Sequence, residues 1–169
     1  MRQIKINDTL GAEIISVSDA KLFIRIDTNA DDGLLDDMIV EARIVAENYM
    51  SRDIVSKDRT YYLDYSHDGL IDVPFGPIES IEEVTVRGEI VTFTEYGLGD
   101  TMIELDGNAR DIKINYITKG MSDGLLKQVL LQMVSTYYDN RTDFITGTIQ
   151  ADLPSNYRRI LDGYKSVFI

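Results

Sequence analysis

The sequence contains no cysteine and a single histidine. The first absence removes disulfides, thiolate zinc sites and thiol nucleophiles together, and it suits synthesis in a reducing cytoplasm. The second, with His67 alone, excludes a two-histidine metal site within one chain. No run of about eighteen apolar residues occurs, so no membrane-spanning helix is expected. The opening Met1-Arg2-Gln3-Ile4-Lys5-Ile6 has charge but lacks the apolar stretch of a signal peptide. Basic residues are also scarce: 17 against 29 acidic ones, a formal net charge of −12. Phosphate-gripping proteins carry a basic stripe, because neutralising phosphates drives that binding. Here the basic residues are scattered, which disfavours tight DNA binding. An acidic surface suits a wall past which DNA slides, and it suits ordinary solubility equally well.

What is present is enough for one domain. At 169 residues and 44% apolar content, the chain can bury a proper core but not two independent ones. Ser16-Val17-Ser18-Asp19 reads as a capping box opening a short helix that ends near Arg25, with Ala20, Phe23 and Ile24 as its apolar positions. A longer helix follows, with Asn29 as the expected cap and Asp31 and Asp32 in its first turn. Leu35, Met38, Ile39, Ala42, Val45, Ala46 and Tyr49 recur at three- and four-residue steps and predict one apolar stripe.

From about Thr60 the period becomes two. Tyr61, Leu63 and Tyr65 alternate with polar positions, as in a half-buried strand. Further strands are expected at Leu70–Val73, Glu83–Arg87, Ile90–Thr94, Met102–Leu105 and Ile112–Thr118, separated by turn signals such as Asp68-Gly69 and Arg87-Gly88. Six short strands imply a small antiparallel sheet or open sandwich. The helical period then returns: Ser122 is the expected cap of a helix through Asn140, with Leu126, Val129, Leu130, Met133, Val134 and Tyr137 on its buried side, packed on the second helix and the sheet. Thr142 to Asp152 is polar and without period, a long loop of the kind that is functional or orders against a partner. After Pro154, Tyr157 to Tyr164 forms a short last helix.

The expected fold is therefore α+β. It is a mostly helical small domain, with two amino-terminal helices, a long third helix and a short carboxy-terminal one, and a small antiparallel β region in the middle. The whole of residues 1–169 forms a single domain, with 1–15 a leading segment, 16–141 the core, and 142–169 a loop and tail that order on assembly.

Catalytic chemistry is not found. Asp64, Asp68 and Asp72 flank His67, but an Asp-rich turn between strands is explained as a solvated hairpin. Asp27-x-Asn29-x-Asp31 begins like a calcium loop, yet the sixth and twelfth positions are Asp32 and Met38 where Gly and Glu are needed. No glycine-rich phosphate loop and no Gly-x-Ser-x-Gly elbow occurs. Adjacent acids such as Asp36-Asp37 and Glu82-Glu83 point in different directions and make poor acid–base pairs. Of the ten tyrosines, Tyr61, Tyr62, Tyr65 and Tyr116 sit in strands, where a nucleic-acid stacking platform would want basic residues beside them, and core and interface packing explains them better. No cofactor, metal or catalytic residue is expected.

The order of elements resembles the head–tail connector (adaptor, or head-completion) family of tailed phages. Lys21-Leu22-Phe23-Ile24-Arg25-Ile26-Asp27 is similar to the family's first helix and its ending, with Ile24 where Leu is usual. Asp32-Gly33-Leu34-Leu35 through Glu47-Asn48-Tyr49 resembles the second helix, and Pro77-Ile78-Glu79-Ser80-Ile81-Glu82-Glu83-Val84 resembles a Pro-Val-x-Ser-Val-x-x-Val stretch. Ile112 to Tyr116 and Gly120 are similar to a strand ending in Tyr and Gly. Leu126-Lys127-Gln128 to Tyr138-Asp139-Asn140-Arg141 resembles the long helix with its Tyr-x-Asn-Arg end. Leu153-Pro154 with Arg158-Arg159-Ile160-Leu161 to Tyr164 resembles the carboxy-terminal signature, with Lys165 where Arg is common. The likeness runs over about residues 16 to 165, and nothing is carried to the first fifteen residues or to the tail after Lys165.

The resemblance implies a structural virion protein. Its copies form a ring of roughly a dozen beneath the portal, join the DNA-filled head to the tail, and meet the portal protein on one side and the next connector or tail-completion protein on the other. DNA passes through the channel without sequence-specific binding, and no membrane is involved. Candidate interface residues are Arg141, Arg158 and Arg159, which can pair across a subunit boundary with Asp36 or Asp37, together with Ile160, Leu161, Tyr164 and Phe168. The rival reading is a monomeric intracellular protein-binding module, a prophage-encoded regulator or inhibitor that holds one protein on its tyrosine-rich sheet.

Overall fold

The computed structural model describes residues 1–99, 101–140 and 155–165. The chain divides into two compact units, each assembled from segments distant in sequence. A β unit takes residues 1–12 and 51–121, and a helical unit takes residues 13–50 and the described part of 122–165. The fold is α+β as expected, but the β region is not small. Among the described residues it holds eight strands in two antiparallel sheets.

In the β unit the larger sheet has the order β1-β2-β8-β4-β5. Its strands are β1 (Arg2–Thr9), β2 (Lys57–Ser66), β4 (Ile78–Val86), β5 (Glu89–Ile90) and β8 (Ala109–Thr118). The smaller sheet, in the order β3-β7-β6, is made by β3 (Leu70–Asp72), β6 (Thr94–Tyr96) and β7 (Met102–Glu104). Period two fixes the register: Tyr61 faces Ile114 and Leu63 faces Ile112 across β2 and β8, while Val84 faces Ile114 across β4. All of these are buried, and with Ile71, Val73, Ile103 and Tyr116 they form one core. The opposite face is polar, where Asn7 donates to Asp58 and Thr60, and Thr60 donates to Asn115 at 2.8 Å. Arg87 and Gly88, both at positive φ (53° and 84°), make the tight turn between β4 and β5 that matches strand twist. Gly69 (φ 83°) is also required, because a Cβ there would meet the carbonyl oxygens of Leu105 and Gly107 at 2.6 Å.

Two expectations about strands are corrected. The leading residues, to which no element was assigned, form β1, paired along β2 from Arg2↔Leu63 to Thr9↔Lys57. The single strand expected at Ile90–Thr94 is two pieces in different sheets: β5 pairs with β4, β6 pairs with β7. Val91 and Phe93, on the stretch between them, pack against the core.

In the helical unit, α1 (Val17–Ile24) opens on the expected capping box. The Ser16 hydroxyl accepts from the Asp19 N–H at 3.1 Å, and the Asp19 carboxylate accepts from the Ser16 N–H at 2.8 Å. It ends at Arg25 in the left-handed conformation, φ 64°. The second helix, α2 (Asp32–Met50), starts later than a cap at Asn29 would require. The Asp31 carbonyl accepts the early helical bond from Leu35 at 2.9 Å, and the Asn29 amide oxygen instead accepts from the Lys21 ammonium. For α3 (Gly124–Asp139) the cap is Asp123 rather than Ser122, its carboxylate accepting from the N–H groups of Leu125 (2.8 Å) and Leu126 (3.0 Å). A full negative charge at a helix amino terminus outcompetes a neighbouring hydroxyl. The expected apolar faces hold: Leu35, Met38, Ile39, Ala42 and Ala46 of α2 and Leu126, Val129, Leu130, Met133 and Val134 of α3 are buried. Val45, also placed on the α2 stripe, is exposed. The short α4 (Ser155–Asp162) buries Tyr157 and Leu161.

Candidate assembly surfaces

Each unit carries a buried charge cluster, and neither is arranged for chemistry. In the β unit the Asp53 carboxylate is wholly buried. It accepts from Arg59 Nε (2.7 Å) and Nη2 (2.6 Å), from Lys57 Nζ (3.0 Å) and from Thr118 Oγ1 (2.8 Å). The Arg59 guanidinium also stacks 4.0 Å from the Phe75 ring centre, a cation–π contact that favours a desolvated arginine. Tyr116, buried beside this group, donates to the Pro74 carbonyl at 3.0 Å, and burial raises its hydroxyl well above the ordinary tyrosine range. In the helical unit Arg43 plays the central part. Its Nε donates to both Glu13 oxygens (2.8 and 2.9 Å) and its Nη1 to Glu47 (2.9 Å). A buried carboxylate receiving four donors, and an arginine held by two carboxylates, are structural ionic pairings.

Elsewhere in the β unit, His67 Nδ1 lies 3.3 Å from the Tyr65 hydroxyl, at one end of a groove of about 400 Å³. The groove is lined by Ile4, Tyr61, Leu63 and Ile71 with Arg2 and Asp72. No group of three potential metal-ligating side chains exists among the described residues, and no described helix is long and apolar enough to cross a membrane.

The candidate interface residues fall into distinct situations. Asp36 and Asp37 are exposed on the first half of α2. Arg158 and Arg159 are exposed on α4, whereas Ile160 is half-buried. Leu161 is fully buried within its own chain, so it anchors α4 rather than offering area to a partner. Tyr157, beside it, shares a 2.6 Å hydrogen bond with the Thr136 hydroxyl of α3. Tyr164 is half-buried and donates to Asp123, tying the end of α4 to the cap of α3. Burial would raise the Asp123 carboxyl, but the hydrogen bonds from Leu126, Tyr164 and Leu125 outweigh it and hold the group below its usual range. A second tie runs from Tyr49 of α2, whose hydroxyl donates to Asp162 at 2.6 Å. Lys165 sits 4.9 Å over the Tyr49 ring. Arg141 and Phe168, and the loop expected at 142–152, lie outside the described residues.

Sequence reasoning missed both charge clusters and β1. The Asp53-x-x-x-Lys57-x-Arg59 spacing offers no recognisable signal until the strand bends its residues onto one carboxylate. Arg43 and Glu47, four apart on a helix, were legible as a pair. So was the alternation of Ile4 and Ile6 with Gln3 and Lys5.

With the geometry in place, comparison with known proteins bears on these readings. Residues 14–89 match the phage gp6-like head-tail connector protein family. This is a family of structural virion proteins, and the non-enzymatic reading rests on that match. A likeness of fold extends over nearly the whole chain. It is similar to a chain in the neck of an empty gene transfer agent particle computed with C6 symmetry, with a TM-score of 0.73, 14% identity, and coverage of 99% of this chain and 97% of that one. A chain in the virion of a native gene transfer agent particle gives 0.73 at 15% identity with the same coverage. One in the neck of a native particle computed with C12 symmetry gives 0.64 at 12% identity, with 96% of each chain covered. At such identities the likeness is one of fold. No curated protein matches the sequence.

Proposed function

We propose that the chain is a head–tail connector subunit. Its copies form a ring of roughly a dozen beneath the portal, join the DNA-filled head to the tail, and hand over to the next connector or tail-completion protein. The observation that carries this reading is the family match over residues 14–89, joined to a near full-length likeness in fold to chains from particle necks. The twelvefold symmetry with which one of those necks was computed supports the copy number. The acid excess supports a channel that DNA passes without being gripped. The chain is then synthesised in the bacterial cytoplasm and resides in the virion.

Within this reading, exposed Arg158 and Arg159 on α4 meet exposed carboxylates such as Asp36 and Asp37 of a neighbour, with Ile160, Tyr164, Arg141 and Phe168 at the same contact. Because Leu161 and Tyr157 pack within the subunit, charge reversal of Arg158 and Arg159 is a cleaner probe than deleting the helix. Negative-stain imaging and light scattering of the purified protein, alone and with its own portal, test the function directly. Rings, or a defined ring on the portal, are expected for the wild type, with fewer for Arg158→Glu/Arg159→Glu. A compact particle that ignores the portal would replace the connector with the monomeric binding module.

A further inference from the structure

We propose that β1 of one copy docks, through its open edge, on the acidic outer edge of β4 in the next copy of this chain, so that the ring closes through its sheets. The proposal rests on the ring reading above and adds the surface that makes it. Among the described residues β1 is the terminal strand of its sheet, with β2 as its one strand neighbour. All eight of its residues are exposed. An open edge of that length is a template for another strand, and proteins normally blunt it with proline, a bulge or charge. β1 has no proline, one irregularity between Ile6 and Asp8, and a lysine at position 5.

Its inner face is also unfinished. Ile4 and Ile6 lie opposite Tyr61 and Arg59, which are buried, yet they remain 40% and 49% exposed. Two isoleucines that continue the core face of a sheet without cover are suited to a partner that extends that sheet.

The acceptor lies at the far side of the same sheet. β4 pairs with β8 along one side, but β5 covers its other side only at Thr85 and Val86. Among the described residues, no strand pairs with that outer side from Glu79 to Glu83. The two edges differ in charge: on β1 Arg2 and Lys5 outnumber Asp8, whereas Glu79, Glu82 and Glu83 stand on the open part of β4 without a basic residue, with Glu79 and Glu82 exposed. A β1-to-β4 contact sets Arg2 and Lys5 against three glutamates, an excess of opposite charge that a β1-to-β1 contact, with Asp8 as the one acid of each strand, does not offer. Because the two edges are different surfaces, their contact is head-to-tail and repeats from copy to copy, as ring closure requires. Irregularities in β4 at Ile78/Ser80 and Ile81/Glu83 limit any shared ladder to a few residues, so the charge match and the two isoleucines carry the fit.

The absence of cysteine makes the test clean. Within one chain, positions 5 and 82 are separated by three strand spacings, about 14 Å, beyond the reach of an intramolecular disulfide. The variant Lys5→Cys/Glu82→Cys, oxidised at concentrations where the wild type forms rings, should give a ladder of covalent multimers on a denaturing gel. Each single variant alone should stay monomeric there, and an equal mixture of the two should stop at dimers. In parallel, Lys5→Glu should lower the ring fraction about tenfold without lowering the melting temperature, and Glu82→Lys in the same chain should restore it. Wild-type rings without a ladder from the double variant, or no rescue by Glu82→Lys, would overturn the edge contact while leaving the ring intact. Dimers from Lys5→Cys alone would replace it with a symmetric β1 pair. No rings and no ladder at any concentration, alone or with the portal, would remove both the ring reading and this contact.

Discussion

In the β unit the buried charge cluster is organised around an anion, and in the helical unit around a cation. Asp53 is enclosed on all sides and receives Lys57, Arg59 and Thr118. Arg43 receives Glu13 and Glu47, but the Glu13 side chain keeps 25% of its surface exposed. The difference follows from the elements. The end of a sheet brings side chains from two inner strands and a loop into one sealed point, whereas a helix surface lets one partner lean out to water. Sealed pairs cost most when one member is removed, because the remaining charge cannot be hydrated. The comparison therefore separates what each unit relies on: the helical unit on its apolar seam, the β unit on its core together with one satisfied ionic knot.

The largest expected effect tests the helical seam. Val129 and Met133 are fully buried on α3, so Val129→Asp or Met133→Asp places an unpaired carboxylate in the core at a cost of several kcal/mol. Either variant should lose its cooperative melt, and a melting temperature equal to the wild type's would show that this face is not the core. Next comes the ionic knot. Asp53→Ala takes the shared carboxylate from Lys57 and Arg59 and should destabilise by about 3–5 kcal/mol. Glu13→Ala removes a partner that already leans out to water and leaves Arg43 paired with Glu47, so it should cost less, about 1–3 kcal/mol. Urea titration of both checks the order, and equal losses would mean that the two clusters are equally sealed.

Much of this was legible in the sequence because it rests on short-range rules. The Ser16 to Asp19 capping box and the three- and four-step pattern of α2 and α3 depend only on neighbours along the chain. What escaped depends on partners far away. β1 reads as a short alternating stretch, and its place at the edge of a five-stranded sheet is decided by pairing with Lys57–Ser66. The split of the Ile90–Thr94 region between two sheets depends on β4 and β7 competing for it. The caps moved by a residue or two where a stronger local acceptor stood beside the expected one, Asp123 next to Ser122. The interface candidates were chosen from charge and termini alone, which cannot tell that Leu161 is spent inside its own unit.

A smaller effect sharpens the contrast at the helix ends. Ser16→Ala removes one half of the α1 capping box and should cost about 1 kcal/mol. The hydroxyl and N–H of Ser16 hold the Asp19 carboxyl below its usual value of 3.8. A depressed folded value means stability that is present above about pH 4 and lost as pH falls through the folded value. In Ser16→Ala that acid-side loss should shrink. Urea melts at pH 7 and pH 3 read it, and an unchanged pH dependence would show that Asp19 is not held by Ser16.

The smallest expected effect concerns whether α4 is part of the free subunit. Tyr164 donates to Asp123 while Asp123 caps α3, so one hydroxyl joins the chain's last described turn to the start of its central helix. Replacing it, Tyr164→Phe, keeps the ring and removes one hydrogen bond to a partly exposed carboxylate, a loss of at most about 1 kcal/mol. Two measurements distinguish a real tie from an incidental contact. The Asp123 carboxyl, held low partly by this bond, should titrate closer to the ordinary aspartate range in the variant. Stability gained above about pH 4 should fall accordingly, because less of the depressed value remains to be lost on acidification. Amide exchange over 155–165 should also quicken in the variant while that of α3 stays slow, since the bond holds the helix end rather than the core. If Asp123 titrates identically in both proteins and 155–165 exchanges freely in the wild type, α4 is not docked before assembly, and the ordering of this segment belongs wholly to the ring.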